Sequence, residues 1–136
     1  MRKILVFIGL FAMFTISSCN TEDDLALRFE LLKITGVTFP ADLQALETYQ
    51  VRVTYLRPTG CHYFEGFDYD HTGPQITTVS LIASVLDEKP CQELNVEAET
   101  SFEFTPESAG TYVFRFWQGK NTDGQDIYYI VDVTVE

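Results

Sequence analysis

Thr105-Pro106-Glu107-Ser108-Ala109-Gly110-Thr111-Tyr112-Val113-Phe114-Arg115-Phe116-Trp117 is the stretch whose reading decides the fold. Thr105-Pro106 closes one apolar run, because proline cannot donate to a sheet ladder. From Tyr112 the rings recur at every second position, Tyr112, Phe114 and Phe116, which is the period of a strand with one face turned into a core. With those rings inside, Arg115 and Trp117 point to the outside.

The rest of the chain repeats this pattern from Leu31 onward, as period-two or continuous apolar runs broken by Gly, Pro, Asn and Asp. Leu31 to Phe39 is a first strand, ended by Pro40, and residues 41–47 form one irregular turn. Tyr49, Val51, Val53 and Tyr55 alternate with Gln50, Arg52 and Thr54 in a second strand, until Pro58-Thr59-Gly60 turns the chain. Cys61 to Asp70 is a third. Its aromatics, Tyr63, Phe64, Phe67 and Tyr69, fall on both parities, so this strand is either covered on both sides or presents rings to a partner. Ile76 to Leu86 is a long fourth strand with Val79, Leu81, Ala83 and Val85 on its inward parity, and Leu94 to Phe104 is a fifth. In the last strand Tyr129, Val131, Val133 and Val135 alternate against Tyr128, Ile130, Asp132 and Thr134, which puts Tyr128 and Ile130 outside. No window reads as a long helix, and the class is an all-β sandwich.

The stretch from Thr105 to Trp117 resembles the E-to-F corner of immunoglobulin-like sandwiches, where a small residue or glycine precedes a tyrosine by two positions. The resemblance implies an immunoglobulin-like antiparallel β-sandwich of about seven strands, with the Tyr112 hydroxyl bonded back to the backbone at the crossover. Antibody domains place a core cysteine two residues after that tyrosine, where this chain has Phe114. Any disulfide must therefore staple other elements, such as the loops at the start of the third and fifth strands. The same resemblance places the sixth strand beside the last and the third. Arg115, Trp117, Tyr128 and Tyr69 or Phe67 would then share one exposed aromatic patch, of the residue types enriched at binding hot spots.

Met1-Arg2-Lys3, an apolar run from Ile4 to Phe14 and small residues before Cys19 form a secretory signal whose core is too short to span a bilayer. Ile16-Ser17-Ser18-Cys19 resembles the relaxed lipobox of bacterial lipoproteins, which implies cleavage after Ser18 and acylation of Cys19. Each buried methylene contributes about 0.8 kcal/mol and one chain holds only marginally, so a multiply acylated cysteine stays in the membrane. Glu22-Asp23-Asp24 resembles the surface-export tag of lipoproteins from Bacteroidota, which implies an outer-membrane protein facing the cell exterior. The organisation expected is a signal peptide over 1–18, a lipidated cysteine and acidic tether over 19–29, and one immunoglobulin-like domain over 30–136. As a whole the chain resembles small Bacteroidota lipoproteins that join such a signal to one such domain.

Cys61 and Cys91 are the remaining thiols, and in an oxidising compartment two cysteines pair. Without Arg2 and Lys3, seven basic residues face twenty acidic ones, a formal charge of −13 that repels nucleic acid. No GxSxG, HExxH or phosphate loop is present. His62 and His71, nine positions apart on one strand and its following turn, have opposite parity and do not converge. Asn121, Asp123 and Asp126 around Gly124 resemble a calcium loop but lack its closing glutamate, and Asp-Gly is also what a tight turn demands. No catalysis, cofactor or metal is expected.

The function expected is a surface-anchored recognition or accessory module holding an unidentified protein or glycan by Arg115, Trp117, Tyr128 and Tyr69. The alternative is an immunoglobulin-like protease inhibitor of the chagasin type. That family's Asn-Pro-Thr-Thr-Gly-Tyr motif is absent, and Arg115-Phe116-Trp117 resembles its Arg-Pro-Trp only in part. The anchor is tested by fractionation: Cys19→Ser is expected to move the chain from the membrane pellet to the supernatant, and a variant that stays in the pellet removes the lipid.

Overall fold

The computed structural model describes residues 26–86 and 90–136; the signal segment, Cys19 and most of the acidic tether lie outside them. Among the described residues there are eight strands, β1 (Leu27–Leu32), β2 (Ile34–Thr38), β3 (Tyr49–Thr59), β4 (His62–Gly73), β5 (Ile76–Leu86), β6 (Glu93–Phe104), β7 (Gly110–Lys120) and β8 (Asp126–Val135). They form two sheets packed as an all-β sandwich. One sheet has the order β2-β3-β6; the other holds β1, β4, β5, β7 and β8. Within the larger sheet β5 is central: β4 pairs with it on one side, while β1 covers residues 81–86 and β7 residues 76–79 on the other.

Three differences from the sequence reading have physical causes. The first apolar run, Leu31 to Phe39, is two strands, because the chain changes sheet at Lys33. Leu32 and Ile34, on either side of it, are both buried, one under each sheet. The first strand also starts at Leu27, inside the stretch assigned to the tether. Second, β7 lies beside β8 and β5 and not beside β4, and its pairing with β5 is parallel. Antiparallel neighbours follow from hairpins, whereas the chain leaves β5 for β6 in the other sheet and returns, and such a crossover admits a parallel pair. Third, a bulge at Glu65 shifts the β4–β5 register between Phe64 and Gly66. One extra residue reverses the parity beyond it. Phe64, Phe67 and Tyr69 therefore lie opposite Ala83, Leu81 and Val79, all on the inner face, and His62 and His71 share that face at opposite ends of the strand.

The core is built from alternating positions of both sheets: Val51 and Val53 from β3, Val79 and Leu81 from β5, and Phe114 and Phe116 from β7. Phe116 has no exposed surface. Its ring stacks on Phe114 at 5.9 Å, and Phe114 in turn meets Phe39 at 5.0 Å and Phe104 edge-on at 5.1 Å. Two pins hold the sheets at opposite ends. At one end the Tyr112 hydroxyl donates to the Ser108 carbonyl at 2.9 Å and accepts the Ser108 N–H at 3.3 Å, the backbone tie expected of this corner. At the other, Cys61 and Cys91 are bonded across a separation of 30 residues, joining the start of β4 to the start of β6.

Replacing Cys61 and Cys91 together by alanine is expected to lower the unfolding free energy by about 3–4 kcal/mol in urea, from the loop-closure entropy of a ring of that size. Phe116→Ala is expected to cost about 3–5 kcal/mol by the same measurement, as for a fully buried ring removed from a packed core.

Candidate functional site

The outer face of the larger sheet carries Arg115, Trp117 and Tyr128, three of the four residues expected to hold a partner. Cross-strand register pairs Arg115 with Ile130 and Trp117 with Tyr128 on β7 and β8. The Arg115 guanidinium lies 4.3 Å from the centroid of the Tyr128 ring, a diagonal cation–π contact. Trp117 donates its indole N–H to Asp126 at 3.0 Å, and Lys120 reaches the same carboxylate at 2.9 Å. Those bonds, Trp117 first and Lys120 next, hold the Asp126 carboxyl below its ordinary range. Arg115, Trp117 and Tyr128 are thereby fixed in orientation and half-buried against one another, while Ile130 beside them stays 58% exposed.

Tyr69 does not belong to this group. Its pairing with Val79 turns it to the inner face, where its ring meets Phe102 of the other sheet at 5.8 Å. Burial there raises the Tyr69 phenol above its usual value. Cys19 lies outside the described residues, and Cys61 and Cys91 are joined in the disulfide. In the Asn121–Asp126 hairpin the Asn121 side-chain oxygen accepts the backbone N–H groups of Asp123 and Gln125, each at 2.9 Å.

The start of β1, before Leu31, was not expected as strand. Leu27, Phe29 and Leu31 point away from the core and are 53%, 62% and 41% exposed. Their alternation with Arg28 and Glu30 was visible in the sequence. The acidic residues just before them drew the stretch into the tether. Leu31 and Trp117 line the same hollow, of about 510 Å³, at the β1–β2 crossover, so the β1 stripe and the β7–β8 cluster form one continuous face.

Behind that face lies a chain of polar contacts. Thr59 Oγ1 is 2.7 Å from His62 Nδ1, and His62 Nε2 is 3.4 Å from Glu30, which also holds Arg28 at 2.6 Å. Hydroxyl, imidazole and carboxylate in that order resemble a nucleophile with its base and orienting acid. Here the imidazole is only 6% exposed, and the threonine oxygen already accepts the Cys61 N–H at 3.2 Å. The contacts tie β1 to the β3–β4 turn.

No family model, curated protein or solved structure matches this chain.

Burial raises the Glu30 carboxyl, but bonds from Arg28 and His62 outweigh it and leave it below the usual glutamate value. A depressed acid stabilises the fold above its unfolded value and loses that contribution as pH falls through the folded one. Glu30→Gln is therefore expected to lower the urea midpoint at neutral pH. The deficit is roughly 0.5–1 kcal/mol, because the carboxylate is partly solvated, and it closes on acidification through the carboxylate range. A deficit that persists unchanged in acid would mean that the Glu30 charge plays no part.

Proposed function

We propose that the chain is a lipid-anchored, surface-exposed and non-catalytic binding module whose partner, a protein, docks on the outer face of the five-stranded sheet. The observation that supports this is the stripe of solvent-open apolar side chains on β1, Leu27, Phe29 and Leu31, on the same face as exposed Ile130 and the pre-oriented Arg115–Tyr128–Trp117 cluster. Contiguous apolar surface rimmed by polar groups marks an interaction site, and Trp, Tyr and Arg held rigid by their neighbours lose little entropy on docking. The face is an open sheet surface, and small ligands are held in concave sites. That favours a protein over a glycan. An N-terminal anchor at Cys19 supports the same reading, since it leaves β1 a few residues from the membrane attachment and the domain outside the cytoplasm.

The test is site-specific photo-crosslinking on intact cells from a probe placed at position 29. A discrete adduct that disappears in the Trp117→Ala, Ile130→Lys double variant, with its far-ultraviolet spectrum unchanged, is the expected result. An adduct insensitive to that double substitution, or a featureless smear, removes the face from consideration.

A further inference from the structure

The two sheets are unequal, and the inequality falls on one flank. β4 is the last strand of the larger sheet and β6 the last of the smaller one. The two meet through rings: Phe67 and Tyr69 of β4 lie 5.4 and 5.8 Å from Phe102 of β6. Beyond β6, among the described residues, no strand faces β4. Three inward-facing side chains therefore remain open to solvent, Phe64 at 39%, Tyr69 at 43% and Val96 at 47%. An inner face left wet along one side is what a sandwich shows where a strand is missing from the smaller sheet. The free edge beside that space is long, 12 residues of β6 paired on one side alone.

The occupant is defined by charge and register. The residues of β6 that face outside alternate as Glu97, Glu99, Ser101 and Glu103. Arg52 meets Glu99 and Gln50 meets Glu103, while Glu97 has no side-chain partner among the described residues. A second copy of this chain pairing edge to edge through β6 would set glutamate opposite glutamate, which is unfavourable in a cross-strand pair. The chain's own Glu22-Asp23-Asp24 segment carries the same sign. A strand with basic residues on its outer parity complements the glutamates, and apolar residues on its inner parity would cover Phe64, Phe67 and Tyr69.

We propose that the open β4–β6 flank is a strand-acceptor groove for an extended segment of a partner protein in which apolar and basic residues alternate. Backbone bonds to β6 give such a segment its hold, and the alternation gives its selectivity. This surface is separate from the outer face of the larger sheet and does not depend on the reading given to that face.

The test uses the mature chain carrying Cys19→Ser, labelled for NMR, and an acetylated ten-residue peptide of alternating lysine and valine. Saturable binding is expected, with amide shifts along β6 and ring shifts of Phe64 and Tyr69. Affinity should fall at least tenfold when two adjacent central residues of the peptide are proline, since neither strand edge can then pair. It should also fall at least tenfold in the Glu97→Lys, Glu103→Lys double variant. That variant should instead gain affinity for the glutamate–valine peptide. Equal binding of the proline peptide would show general attraction to an acidic surface and overturn the groove, as would no binding at millimolar peptide. Shifts confined to β1, β7 and β8 would overturn it while leaving the outer face standing. The Phe29→Lys, Ile130→Lys variant is expected to bind the lysine–valine peptide as the parent does.

Discussion

Everything in this sandwich depends on two sheets closing over one set of rings. Phe114 and Phe116 come from β7, Phe102 and Phe104 from β6, and Phe39 from the segment after β2, so the cluster draws on both layers at once. Burying a phenylalanine is worth roughly 1.5–3 kcal/mol relative to leaving it in water, and the gain is realised only when both sheets are in place. Neither sheet is a stable object without the other. The disulfide and the Tyr112 corner act at opposite ends of the same contact and limit how far the layers separate.

The parts of the fold that depend on alternation alone were legible in the sequence. Ile76 to Leu86 is a strand with the bounds read from its pattern, and Val79, Leu81, Ala83 and Val85 are its buried side. Phe114 and Phe116 face the core as their spacing required. What alternation could not carry is register. The bulge at Glu65 is marked in residue type only by the neighbouring Gly66, yet it gathers Phe64, Phe67 and Tyr69 on one face and separates Tyr69 from Arg115, Trp117 and Tyr128. Sheet membership was equally hidden: Lys33 sits within the first apolar run, where Leu32 and Ile34 share one strand parity, and only the pairing of β1 with β5 and of β2 with β3 shows that the chain crosses there.

The same register explains why the molecule has two unlike surfaces. On the outer face of the larger sheet, apolar side chains stand among half-buried aromatics that are already held by Asp126 and by the guanidinium of Arg115. On the β4–β6 flank, rings belong to the interior but reach past the end of the smaller sheet, framed by carboxylates. One is a finished surface; the other is an interior left open along one side.

β1 pairs with β5 over all six of its residues in unbroken antiparallel register, and Glu30 ties it to His62 beside the disulfide. Tension entering at its N-terminal end and resisted elsewhere in the same sheet runs along the strand axes. The ladder is then loaded in shear, so its bonds share the force and must yield together, whereas a perpendicular pull would open them one at a time. Pulled from its N-terminal end, the first strand thus resists as a whole and not bond by bond.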